Sequence, residues 1–210
     1  MAALGVDKVF RFVQFVSNKE SRGWIAPEEF NIAAEISQIT AYSKREAVFL
    51  VSKQVLNDMR PFMKNSATLT PAAGIITYPT DMRHFISGWY VTGEESITEY
   101  TQGEWRLAHG STIVPPTAAY PACVQRENGL EVSPATVNVE MEYLAAPIAP
   151  EWDYTVVSGR PVYNPAGSTV DFGFDEILFL EIAMLVLANV GINLGMENIA
   201  QYGMAFNKQG

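Results

Sequence analysis

Val137-Asn138-Val139-Glu140-Met141-Glu142-Tyr143 alternates strictly, with apolar residues at the odd positions and polar ones at the even. Successive side chains of a strand point to opposite faces, so this spacing predicts a β-strand with one buried face. Just before it, Asn128-Gly129 separates two β-prone runs, 119–127 and 130–133. Both residues tolerate positive φ, and a two-residue type I′ turn matches strand twist, so the pair predicts a hairpin. Segments rich in Ile, Tyr, Val and Thr at 75–78, 85–91 and 96–100 complete a central β region.

Helical spacing flanks that region on both sides. Val6, Val9, Phe10, Val13 and Val16 recur at three- and four-residue intervals, with Asp7 as the expected N-cap. Ala26-Pro27-Glu28-Glu29 supplies a proline and acidic residues for a second helix start, and Phe30, Ile32, Ala33, Ile36 and Ile39 continue its apolar spacing. Val48, Phe49, Val51, Val55, Leu56 and Met59 predict a third helical segment ending near Pro61. After a stretch punctuated by Pro147, Pro150, Pro161 and Pro165, Asp175 and Glu176 open an apolar helix over 177–190, with Gly191 as its C′ residue. A last helix is predicted over 196–206.

This order predicts an α+β chain with an N-terminal helical bundle over 1–65, a central antiparallel β domain over 66–160, and a connector with C-terminal helices over 161–210 packing back on 1–65. The 145–167 stretch is read as a connector or an extended arm, with Trp152 and Tyr154 pinning it to the core.

The 210 residues carry 14 Lys and Arg against 23 Asp and Glu, a net charge of −9 that opposes phosphate-driven nucleic-acid binding. With 48% hydrophobic and 18% charged residues, the composition predicts a soluble globular protein and excludes a disordered chain. One cysteine, Cys123, and no Asn-x-Ser/Thr sequon fit folding in a reducing compartment. Glu181, Asn189 and Asn193 interrupt 177–196, the single membrane candidate, and argue for a buried helix there instead.

Chemistry-bearing patterns are sparse. Neither a phosphate-binding glycine loop nor an HExxH occurs, and His84 and His109 are the only histidines. His109-Gly110-Ser111 lacks the GxSxG context of a hydrolase serine and reads as a loop before Pro115-Pro116. Cys123, between Ala122 and Val124, reads as a packed thiol. Trp24, Trp89, Trp105 and Trp152 could build a sugar platform, although tryptophans so dispersed more often anchor cores or interfaces. No catalytic residue, cofactor or metal is predicted.

Several segments, taken in order, resemble the ring-forming head-to-tail adaptor or neck proteins of tailed bacteriophages, especially those of crAss-like phages. They are Phe15-Val16-Ser17-Asn18-Lys19-Glu20, Ile25-Ala26-Pro27-Glu28-Glu29-Phe30-Asn31, Val114-Pro115-Pro116-Thr117-Ala118-Ala119-Tyr120-Pro121, Val132-Ser133-Pro134, Glu142-Tyr143-Leu144-Ala145-Ala146-Pro147 with Pro150-Glu151-Trp152, and the final Gly191-Ile192-Asn193-Leu194 and Gln201-Tyr202. The resemblance implies a non-enzymatic virion component at the head–tail junction, made in the bacterial host cytoplasm. It implies a ring of about twelve copies beneath the portal protein, touching neighbouring neck or tail rings. Genomic DNA would pass through without specific binding, no membrane would be involved, and acidic lumen residues would repel the phosphates.

Residues put forward for contacts between subunits are Trp24, Pro27, Pro115, Pro116, Tyr120, Pro147, Pro150 and Trp152. Either the helices or the β domain carries the ring contacts. A tail-completion or tail-tube protein, a small hydrolase and a carbohydrate-binding module remain as alternatives.

Overall fold

A computed structural model describes residues 3–19, 24–93, 95–113 and 115–191. The helices are α1 (Val6–Lys19), α2 (Pro27–Glu46), α3 (Lys53–Met59), α4 (Gln102–His109) and α5 (Phe179–Asn189). The strands are β1 (Met63–Asn65), β2 (Ile75–Ile76), β3 (Met82–Tyr90), β4 (Glu95–Ser96), β5 (Thr98–Glu99), β6 (Ala122–Arg126), β7 (Gly129–Ser133), β8 (Val139–Ala145), β9 (Tyr154–Val157) and β10 (Arg160–Tyr163). The chain is α+β, with helices toward both ends and most strands central. It divides into two compact units: one takes the chain up to Pro61 and from Pro147 onward, the other is Phe62–Ala146.

In the helical unit, α5 packs on α1 and α2, as the C-terminal helix was expected to. Val6, Val9, Phe10 and Val13 of α1 are buried, so its predicted apolar face is the inward one. Its first turn is capped from 165 residues away, where Val6 N donates to Asp171 Oδ1 at 2.9 Å. Asp7 is thus not the cap. It pairs with Arg11 at 2.8 Å and accepts from Trp152 Nε1 at 3.0 Å.

Helix α2 starts at Pro27 as the proline and acids predict, and its apolar residues divide between two faces. Phe30 and Ala33 face inward together with Ala34, Ser37, Gln38, Ala41, Tyr42 and Arg45. Ile32, Ile36 and Ile39 face solvent. The physical reason is that the polar inner residues are fully used. Gln38 Nε2 donates to Ile148 O at 2.6 Å while its Oε1 accepts from Gly173 N at 2.7 Å. Asn189 Nδ2 donates to Ser37 Oγ at 2.9 Å, and Trp152 N donates to Asn31 Oδ1 at 2.9 Å. Turning the isoleucines inward would break all of these bonds at once.

The expected third helical segment is split: 47–51 forms turns, and α3 then begins behind Ser52, whose Oγ accepts from Val55 N at 3.4 Å. The stretch from Pro147 is also more ordered than an irregular connector. Its β9–β10 hairpin turns on Ser158 (φ 52°) and Gly159 (φ 77°), the paired positive φ values of a type I′ turn. After a 3-10 turn at Glu176–Leu178, α5 runs to Asn189 and stops at Gly191 (φ 73°), the predicted C′ residue. The helix expected over 196–206 lies outside the described residues.

The β unit holds two four-stranded sheets, ordered β1-β8-β3-β4 and β2-β7-β6-β5. Ile76, Phe85, Cys123, Leu130, Val132, Val139, Met141 and Tyr143 from both sheets share one core. The alternation along β8 is as read: Val137, Val139, Met141 and Tyr143 are buried, and Glu140 accepts from Thr68 and Trp89 on the other face. The β domain was expected to be wholly antiparallel, yet β5 pairs with β6 in parallel. A crossover through α4 makes that pairing reachable, since parallel neighbours need a long connection.

The β6–β7 hairpin exists, with Arg126 opposite Gly129, so Glu127 and Asn128 form its turn. Gly129 is a strand residue instead of a turn residue. A Cβ there would fall 2.2 Å from Ile76 O, so glycine lets β2 approach. Helix α4 ends at His109, and the loop expected before Pro115-Pro116 begins at Gly110. Thr101 caps the helix through a capping box, its Oγ1 accepting from Glu104 N while Glu104 Oε2 accepts from Thr101 N.

Candidate assembly interface

The residues that could carry reactions are in packed or ordinary surroundings. Cys123 is buried, and desolvation together with the charge of Glu99 pushes its thiol up to about 12, so it stays protonated at neutral pH. His109 stacks on Trp105 at 5.4 Å at the end of α4, and His84 is exposed on β3. Among the described residues no group of three His, Cys, Asp or Glu is placed to hold a metal. No helix among them is long and apolar enough to cross a membrane. An open cleft of about 430 Å³ in the helical unit is lined by Ala3, Arg60, Pro61, Gly173 and Asp175.

Two of the four tryptophans, Trp105 and Trp152, are buried and present no ring face to a sugar. Trp105 is buried against Ala122 and Val124, in the β unit with Trp89, whereas Trp24 and Trp152 belong to the helical unit.

Of the residues put forward for contacts, three prove to be buried in their own chain. Pro27 is the first residue of α2, and Pro150 and Trp152 are buried beside it. Trp152, 4% exposed, stacks on Phe10 at 4.0 Å, on Tyr163 at 5.8 Å and on Tyr154 at 5.9 Å. It is the core anchor of the helical unit, with no area left for a partner. Pro116 and Pro147 are half-buried, and Pro115 is exposed. Tyr120 and Trp24 are exposed aromatics, Tyr120 at the end of the Thr117–Tyr120 turn.

The larger apolar surface is one that the proline and tryptophan pattern does not mark. Ile32 (62% exposed), Ile36 (48%) and Ile39 (48%) follow one another at i, i+4 and i+7 along the outer face of α2. Val48, Leu50 and Val51 in the turn after α2, and Leu56 of α3, are exposed as well. Burying one such isoleucine on association is worth roughly 1 kcal/mol or more, because half its surface is already covered. The polar residues on this face are segregated. Glu28, Glu29 and Glu35 lie toward its N-terminal half, and Lys44 lies in its last turn, 3.9 Å from Glu181.

A second exposed surface in the same unit is the β9–β10 ribbon, where Val157 and Val162 are exposed on one face and Val156 on the other. An isolated two-stranded hairpin is marginal in water, and this one is held at its base, where Tyr154 and Tyr163 stack on Trp152 and Tyr154 Oη donates to Glu28. The buried face of α2 has its own signature in the sequence: Ala34, Ser37, Gln38, Ala41 and Arg45 follow Phe30 at helical spacing, small or polar where the isoleucine stripe is large and apolar.

No family model matches the chain, and no curated protein matches it.

Proposed function

We propose that this chain is a virion structural protein, one subunit of a head-to-tail connector ring, adaptor or neck, between the portal and tail of a tailed bacteriophage. The observation that carries the reading is the isoleucine stripe of α2, held outward by a helix whose inner face is committed to internal hydrogen bonds. Large apolar residues aligned on a surface mark a place where another protein binds. A ring joins two different faces of each subunit, and α2 and the β9–β10 ribbon supply two dissimilar exposed faces in one unit.

Further support comes from the ordered resemblance to neck proteins and from the net charge of −9, which suits a conduit that DNA must pass without being gripped. Helices at both chain ends favour an adaptor over a tail-tube subunit, which is dominated by a β-barrel.

The test is to quantify this protein by mass spectrometry in purified particles of the phage that encodes it, relative to the portal protein. Near parity is the expected result. Absence from the particles overturns the reading.

A further inference from the structure

We infer that the contact between neighbouring subunits is made by the outer face of the β9–β10 ribbon of one copy seated on the isoleucine stripe of α2 in the next, an inference that rests on the ring reading above. Register fixes the faces of the ribbon. Val157 is opposite Arg160 and Thr155 is opposite Val162, while Tyr154 is opposite Tyr163 and Val156 opposite Pro161. Residues paired across strands share a face, and side chains alternate along each strand. Tyr154 and Tyr163 turn toward Trp152. Thr155, Val157, Arg160 and Val162 therefore form the opposite face, and all four are exposed.

The two surfaces match in size and in charge. Ile32, Glu35, Ile36 and Ile39 share one stripe of α2, which is about 10 Å long at 1.5 Å per residue. The ribbon face from Thr155 to Val157 runs about 7 Å and is two strands, about 5 Å, wide. Between Ile32 and Ile39 the helix stripe carries one charge, Glu35, with Glu28, Glu29 and Lys44 beyond its ends; the ribbon face sets one charge, Arg160, beside Val157, Val162 and Thr155. Neither Glu35 nor Arg160 is in an ion pair among the described residues.

Both patches are exposed within the same unit, so they do not cover each other in one chain. Joining the ribbon of one copy to the helix of the next is a head-to-tail contact between unlike faces, the kind that repeats around a ring. Guanidinium and carboxylate meeting beside apolar side chains fix register as well as adding affinity.

The experiment is disulfide trapping in the full chain. Buried Cys123 gives the background, set by the unmodified protein. Ile36→Cys combined with Val157→Cys is expected to give a ladder of cross-linked oligomers under mild oxidation in particles or in assembled protein, and neither substitution alone is expected to cross-link. Dimers from Ile36→Cys alone would mean a two-fold pairing of α2 helices and overturn the inference. A double variant present at parity with the portal but not cross-linked overturns it too, while leaving the ring reading standing. Absence of the unmodified protein from particles removes the ring reading itself. As a second measurement, Arg160→Glu is expected to raise the half-assembly concentration at least tenfold and added Glu35→Arg to restore it; no change with Arg160→Glu contradicts the assigned pair.

Discussion

Arg45 grips Glu181 with two parallel hydrogen bonds, Nη1 to Oε1 at 3.0 Å and Nη2 to Oε2 at 2.7 Å, and joins the last turn of α2 to the start of α5. Its Nε donates to Asp58 Oδ2 at 3.0 Å, so a single guanidinium also ties in α3. This charge-assisted cluster is why α2 can turn Arg45 inward and its isoleucines outward.

The hydrogen bond from Arg45 holds the Glu181 carboxyl below its ordinary range, against the opposing effect of burial. A carboxyl with a depressed folded pKa adds stability that is complete above its unfolded value, about 4.3, and lost as pH falls through the folded value. Urea denaturation should therefore show stability declining below about pH 4.5, with a smaller acid-limb loss in Glu181→Gln. At pH 7, Arg45→Leu should cost about 2 kcal/mol, less than a fully buried pair because the Glu181 side chain is 34% exposed.

Trp152 should behave as core and not as interface. Trp152→Ala loses its stack on Phe10 and should cost roughly 3–5 kcal/mol in thermal or urea unfolding of the free subunit. Asp7→Ala leaves the indole N–H without its acceptor and should cost roughly 1–3 kcal/mol, with the near-ultraviolet circular dichroism altered.

Gly129→Ala separates a turn role from a packing role. Because the new Cβ would meet Ile76 O at 2.2 Å, the variant should lose roughly 1–3 kcal/mol as β2 is pushed away. Asn128→Ala, in the turn itself, should be close to neutral in the same denaturation experiment.

Ile36→Lys should leave folding within about 0.5 kcal/mol of the parent, since it replaces a surface residue, while abolishing assembly. Phe30→Ala, one turn and a half away on the inner face of α2, should do the reverse and cost roughly 3–5 kcal/mol. Thermal midpoints and sedimentation velocity on both variants check this division.

How much of this was legible in the sequence depended on whether a residue pattern had one physical solution or two. The alternation at 137–143 had one, and β8 buries the face it names. Asp175-Glu176 before an apolar run ending at Gly191 also had one, and Glu181, read as evidence against a membrane span, is the partner of Arg45. In α2 the apolar residues Phe30, Ile32, Ala33, Ile36 and Ile39 fall on two faces, and their spacing alone names neither as the inner one. Tertiary hydrogen bonds to Ile148, Trp152 and Gly173, more than a hundred residues on, decide it. The cap from Asp171 to α1 is equally remote. By contrast, the Thr101-x-x-Glu104 box and Ser158-Gly159 are local signals that the sequence carries on its own. Of the contact candidates, Pro27, Pro150 and Trp152 mark where the chain folds on itself, while Trp24, Pro115 and Tyr120 stay exposed; the exposed isoleucines carry the proposed contact.

The most direct measurement is the reactivity of Ile36→Cys toward a maleimide, in the free subunit and in purified particles carrying the variant. Buried Cys123 should remain unlabelled in both. If α2 is the ring contact, the new thiol labels readily in the free subunit and is protected at least tenfold in the particle. Equal labelling in the two states would contradict the account.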